Sequence, residues 1–195
     1  MKQETLLIAF LLLLMMSVFA WGADNTINIE QVGFNNTTII TQDGVGNTAT
    51  VGLGKISAVD GSYIAILQQG NNKTAAVEIK SGINNTVYLT QQDTGNHTAS
   101  IQNLNGTANS ITITQQGSGS HEFNVIGGAG TTNSGNSISA TQTGNTGSEK
   151  WFNLNLNGST GATVNVQQGG TGANQSSMNV QCAPGTCGTF NFTRN

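Results

Sequence analysis

Between Asn25 and Leu53 one short unit is written almost three times: N-T-I-N-I-E-Q, N-T-T-I-I-T-Q and N-T-A-T-V-G-L. Asn25, Asn36 and Asn47 fall 11 residues apart, and the first two units end in a glutamine followed by x-G, Gln31 to Gly33 and Gln42 to Gly44. Alternate residues form one set, Asn25, Ile27, Ile29 and Gln31, then Asn36, Thr38, Ile40 and Gln42. A period of two is that of a strand, and Gly-Asn punctuation at fixed intervals marks a tight turn. A chain built on such a unit is a strand-turn-strand repeat, and the repeat limits the fold before composition is considered.

The same frame continues past Leu53 with loops of unequal length, beginning with an insertion from Gly54 to Gly61, and yields 14 candidate strands of about six residues between Asn25 and Arg194. They divide into two classes. Nearly all the even-numbered strands end in an inward-reading glutamine, Gln42, Gln68, Gln91, Gln115, Gln142 and Gln168, spaced 23 to 27 residues apart. The odd-numbered strands after the first carry Leu53, Ile79, Asn103, Gly127, Leu156 and Cys182 at that place, and Asn, Lys or His at their start. A repeat whose true period is two strands is expected when each coil turns through two faces and like stacks on like. The expected fold is therefore all-β: a two-sided β-solenoid of about seven rungs, stacked parallel and in register with a rise of roughly 4.7–4.9 Å per rung.

Residue choice follows from that arrangement. Ile, Val, Leu, Ala and Phe from the two faces would interdigitate in a thin dry core, each large side chain contributing roughly 1.5–3 kcal/mol on burial. The glutamine column can bond amide to amide along the stack, because each amide carries both donors and an acceptor. Asn36, Asn85, Asn109 and Asn136 are expected to do likewise at the other edge. Both ends of such a coil are open sheet edges, which template pairing with further chains unless capped, and no cap is evident in the sequence. End-to-end stacking into a fibre with cross-β spacing is the expectation.

Ahead of the repeat, Lys2 precedes an apolar run from Leu6 to Ala20 that closes on small residues, the pattern of a secretory signal peptide. The expected division is a signal peptide over 1–22, cleaved after Ala20 or slightly later, and a repeat domain over 23–195. Only 8% of the chain is charged, with 26 glycines and one proline. Polarity without charge accompanies disorder in many chains, but the strict alternation argues for order here. A net charge of -3 and scattered lysines leave no basic stripe for nucleic acid.

With these residues in place the chain resembles the curlin subunits of curli, the secreted bacterial amyloid fibres of biofilm matrix. The family pattern, Q-x-G-x-x-N-x-A-x-x-x-Q around a turn, is matched by Q-V-G-F-N-N-T-T-I-I-T-Q from Gln31 to Gln42 and less completely by Q-D-G-V-G-N-T-A-T-V from Gln42 to Val51. It recurs more loosely across nearly the whole chain after the leader. The resemblance implies export as an unfolded chain through an outer-membrane secretion pore, nucleation at the cell surface by a companion curlin subunit, and growth by self-assembly into adhesive fibres. Three features depart from the family pattern: the glutamine is missing from most odd strands, several loops are long, and there is a cysteine pair.

No catalytic constellation and no cofactor motif stands out, so the chain does not read as an enzyme. His97 and His121 fall one rung apart on the same face; a two-histidine metal site lacks further ligands in frame, and polar edge residues are the better reading. Lys73, His97, His121 and Lys150, at the asparagine place, read either as gatekeepers that slow premature stacking through charge or as edge positions that tolerate polar residues. The acids are dispersed, with no pair placed for acid/base work. In an exported chain Cys182 and Cys187, bracketing the single proline in C-A-P-G-T-C, are expected to form a disulfide that ties down the last rung. The alternative to a fibre subunit is a monomeric secreted β-solenoid, an adhesin or an ice-binding protein, although only Thr112 and Thr114 make a convincing T-x-T rank.

Overall fold

A computed structural model describes residues 24–31, 33, 35–53, 61–79, 84–102, 107–127, 133–182 and 186–195. The expected signal peptide over 1–22, the insertion over 54–60 and Asn103 lie outside the described residues.

Alternating sequence becomes alternating burial. The strands are β1 (Thr26–Gln31), β2 (Thr37–Asp43), β3 (Thr48–Leu53), β4 (Tyr63–Gln69), β5 (Thr74–Ile79), β6 (Thr86–Gln91) and β7 (Thr98–Ile101), followed by β8 (Ser110–Gln116), β9 (Glu122–Gly127), β10 (Ser137–Thr143), β11 (Lys150–Leu156), β12 (Thr163–Gln168), β13 (Asn174–Val180) and β14 (Thr189–Arg194). Odd strands form one seven-stranded sheet in the order β1-β3-β5-β7-β9-β11-β13, and even strands form the other, β14-β12-β10-β8-β6-β4-β2. Every pairing is parallel. Consecutive strands thus lie in opposite sheets, and each pair of strands makes one rung of a two-sided β-solenoid.

The register aligns like with like: Ile64, Val87, Ile111, Ile138 and Val164 form one column, and Val51, Val77, Ile101, Val125 and Leu154 another. These side chains belong to a single hydrophobic core enclosed between the sheets. Phe123 and Phe152 stack one rung apart with centroids 5.4 Å from each other, and Phe152 meets Phe192 of the opposite sheet edge-on at 5.1 Å. Such pairs contribute about 0.5–1.5 kcal/mol beyond their area.

Register also corrects one expected alignment. Leu156 pairs with Val180, so Val180 holds the glutamine-equivalent place in β13, and Cys182 lies two residues beyond it. The thirteenth strand opens with Asn174 against Lys150, which sets the count.

Between an even strand and the next odd one, the chain reverses in a few residues. At Gly70, with φ +95°, a Cβ would lie 2.2 Å from the Asp93 carbonyl oxygen of the next arc. Only glycine allows both this torsion and this approach. Glycine is not the sole source of left-handed backbone, since Asn35, Asn72, Asn84, Asp93 and Ala108 also have φ between 55° and 68°.

Candidate functional site

The positions that distinguish this solenoid are three columns of polar side chains enclosed at the margins of the core. Parity places the even-strand glutamines inward, and in-register stacking puts each one rung from the next. Gln42 Nε2 donates to Gln68 Oε1 at 2.7 Å, Gln68 to Gln91 at 2.9 Å, Gln91 to Gln115 at 2.9 Å, Gln115 to Gln142 at 2.8 Å and Gln142 to Gln168 at 2.7 Å. The same Nε2 atoms also donate across to the opposite sheet, onto the carbonyls of Thr26, Thr48, Thr74, Thr98 and Glu122, and Gln168 reaches Trp151 O at 3.4 Å. All but Gln42 are fully buried. The row therefore ties rung to rung and sheet to sheet, and every donor in it points toward the C-terminal rungs.

The asparagines behave less uniformly than the sequence suggests. Asn85, Asn109 and Asn136 form a continuous row: the Nδ2 of Asn109 and of Asn136 each donate to the Oδ1 of the preceding asparagine at 3.1 Å. Asn36 does not join it. Ser62 occupies the intervening rung, and Asn36 Oδ1 instead accepts the Ser62 backbone N–H at 2.9 Å. At the far end Asn136 Oδ1 accepts the backbone N–H of Ala162. The role common to these asparagines is to accept the next rung's backbone N–H.

At the start of the odd strands, Asn25 and Asn47 perform that role for Asn47 and Lys73. The column then reads Lys73, His97, His121, Lys150, and the expectation of polar edge residues gives way here, because all four are buried. Parity with Ala75, Ala99, Phe123 and Phe152 points them inward, and each one satisfies the carbonyls of a chain reversal. Lys73 Nζ donates to the carbonyls of Asn71 at 3.1 Å, Asp93 at 2.8 Å and Gly95. Lys150 Nζ donates to Gly170 and Gly172. Burial pushes both lysine pKa values down, opposed by the carboxylate of Asp93 at Lys73 and of Glu149 at Lys150.

The histidine rings stack with centroids 5.0 Å apart and 11° between planes. His97 Nδ1 accepts the backbone N–H of His121 at 3.3 Å, and His121 Nδ1 accepts that of Lys150 at 3.1 Å. The remaining nitrogens face carbonyls, Gln92 O at 2.8 Å and Gln116 O at 3.0 Å. A backbone N–H can only donate and a carbonyl can only accept, so each ring is held as the neutral Nε2–H tautomer. Burial lowers the His97 pKa to about 4, against the favourable carbonyl of Gln92, and lowers that of His121 as well. With both nitrogens of each ring engaged, neither is presented to a metal. Among the described residues no group of three or more His, Cys, Asp or Glu is gathered.

Two features were not anticipated. Gln69, Gln92 and Gln116 make a second amide row on the outer surface, Gln116 donating to Gln92 at 2.7 Å and Gln92 to Gln69 at 2.6 Å, in the sense opposite to the inner row. The Gln-Gln doublets at 68–69, 91–92 and 115–116 are its sequence signal. Asn133 adds a buried acceptor for the backbone N–H and hydroxyl of Ser159. Cys182 and Cys187 are joined in a disulfide with Cα atoms 5.4 Å apart, and Cys187 N donates to Thr160 O, fastening the last crossing to the rung before it.

Among the described residues the two terminal rungs have no strand beyond them. β1 is exposed at all six residues, and its core-register Ile27 and Ile29 retain 50% and 47% of their accessible surface. At the opposite end β13 and β14 are the edge strands, with Met178, Phe190 and Phe192 only partly covered.

No curated protein matches the chain, and neither does any solved structure. One family model matches, the curlin associated repeat, over residues 22–52, a span that takes in β1, β2 and nearly all of β3. A solenoid of parallel rungs that carries a curlin associated repeat in its first strands is consistent with a member of the curlin family, a curli-type structural protein.

Proposed function

We propose that this chain is a secreted structural subunit, not an enzyme, that self-assembles into curli-like amyloid fibres serving surface adhesion and biofilm matrix. The observation that carries this reading is the state of the terminal rungs. Among the described residues β1 is the outermost strand of its sheet and carries two half-exposed isoleucines, on the register that every interior strand uses to pair with its neighbour. An added rung would gain a parallel ladder and a continued core at no cost in new geometry. An extracellular location, passage through an outer-membrane pore and a nucleating companion subunit belong to the same proposal, supported by the curlin associated repeat.

The test is to express Ala23 to Asn195, dilute it from denaturant, and follow thioflavin fluorescence, sedimentation and fibre diffraction. The expected result is sedimenting, seedable material with a meridional reflection near roughly 4.7–4.8 Å. A monodisperse monomer that persists for days and ignores added seeds would refute fibre formation and favour a monomeric solenoid adhesin.

A further inference from the structure

We propose that the two ends of the solenoid are complementary and join copies head to tail, the β13/β14 end of one copy seated on the β1/β2 end of the next, with Arg194 of the first donating to Gln42 Oε1 of the second. This rests on the self-assembly reading and adds to it a polarity, a register and a contact.

Polarity comes from the direction of the inner glutamine row. In the inner glutamine row each Oε1 accepts from the rung before it, so the row opens on Gln42 Oε1, which is buried and has no partner. At the opposite end the place after Gln168 is taken by Arg194, its partner in the β12/β14 register. Arg194 Nη1 lies 3.5 Å from Gln175 O. Gln175 pairs with Trp151, whose carbonyl serves Gln168, so arginine reaches the same carbonyl column that the glutamine amides use. A guanidinium has five N–H donors and no acceptor. It therefore ends the row within one copy while keeping donors for a rung beyond.

An independent set of bonds runs the same way. Asn25 Nδ2 and Asn47 Nδ2 donate forward to Gly44 O and Gly70 O. Asn174 stands in the same column of the last rung, and its Nδ2 is buried without a partner. At the terminal positions of these two columns, donors are thus left over at the β13/β14 end and an acceptor at the β1/β2 end. Head-to-head contact would set acceptor against acceptor, and tail-to-tail contact would set Arg194 against Arg194. Head-to-tail contact alone pairs them, and the same register lays Ile27 and Ile29 over Ser176 and Met178, and Phe190 and Phe192 over Thr38 and Ile40.

The experiment attaches pyrene at Thr37→Cys and, in a separate preparation, at Thr189→Cys. Both positions are exposed and point outward on edge strands, and the native cysteines are already bonded to each other. Head-to-tail stacking brings the two positions within one rung, roughly 4.7–4.9 Å of backbone spacing. Excimer emission is expected from fibres of the mixture and not from fibres of either alone. Excimer from singly labelled fibres, or fibres without excimer in any combination, overturns the polarity and register while leaving self-assembly standing. Absence of sedimenting material in all three removes both.

A second arm tests the contact. Arg194→Leu is expected to raise the concentration left soluble at the end of assembly by about tenfold, the effect of losing one charge-assisted hydrogen bond. Arg194→Gln, which continues the row with an amide, is expected to restore it. An unchanged soluble concentration for Arg194→Leu, or no rescue by Arg194→Gln, overturns the Arg194 contact.

Discussion

Acidification should loosen this solenoid from the inside, at the His97–His121 stack. Both rings are neutral acceptors at Nδ1 for the backbone N–H of the next rung, so a proton added there removes an inter-rung bond and places charge in a buried column. The groups facing the pair are the Lys73 and Lys150 ammoniums, which oppose protonation, and the Asp93 and Glu149 carboxylates, which favour it. Burial outweighs them and holds His97 at about 4. A histidine whose folded pKa is depressed contributes stability that is complete above its unfolded value near 6.5 and is lost as pH falls through the window down to the folded value. Between pH 6.5 and 4 that amounts to about 3 kcal/mol at most for His97, nearer 2 kcal/mol once solvent screening is allowed for, and His121 adds with the same sign. Glu149, held low by backbone N–H bonds, adds a loss of the same sign below its ordinary range. The assay is a guanidinium titration of the assembled protein by circular dichroism at pH 7.5, 6.5, 5.5 and 4.5, for the native chain and for His97→Asn with His121→Asn. Asparagine is what the column carries at Asn47, where its Oδ1 performs the same acceptance. A native midpoint that is flat from pH 7.5 to 4.5, or a slope that survives the double substitution, would refute the reasoning.

Further outcomes follow from packing. Gly70→Ala should cost at least 3 kcal/mol or prevent folding, because its Cβ would meet a carbonyl at 2.2 Å, whereas Gly158→Ala, with φ +66° and nothing within 4 Å, should cost about 1 kcal/mol. Equal effects in thermal denaturation would show that the close approach of successive arcs does not matter. Gln115→Leu should cost about 2–4 kcal/mol by leaving Gln91 Nε2 and Gln142 Oε1 each short of a partner. The half-buried Gln116→Leu, on the outer face, should cost under about 1 kcal/mol, and a reversed order in denaturant midpoints would contradict the assignment of the inner row as the structural one.

Much of this was legible because a two-residue period, a two-strand period and an in-register stack are one-dimensional properties. Parity alone put Gln68, Gln91 and Gln115 on a common inner line, and stacking made them neighbours. What parity could not supply was the content of the intervening rung: Ser62 and Ala162 interrupt the asparagine row, so Asn36 bonds to backbone where amide pairing was expected. The lysines and histidines were misjudged for another reason. Their chemistry argues for the edge while their parity with Ala75 and Phe123 argues for the interior, and parity prevails because converging arc carbonyls supply acceptors that no sequence pattern displays.

Near-identical repeats face a threading problem that ordinary folds do not. A strand that pairs one rung too far along still satisfies the alternation, so a purely uniform chain would have many almost equally good ways to coil. The Lys73, His97, His121, Lys150 sequence and the Phe123–Phe152 stack break that degeneracy. Advance the odd sheet by one rung against the even one and Phe123 falls where Ala99 belongs, so that a large ring must enter a space packed for a methyl group. Irregular residues in the interior of a regular coil act as page numbers, letting each turn recognise its own place among its copies.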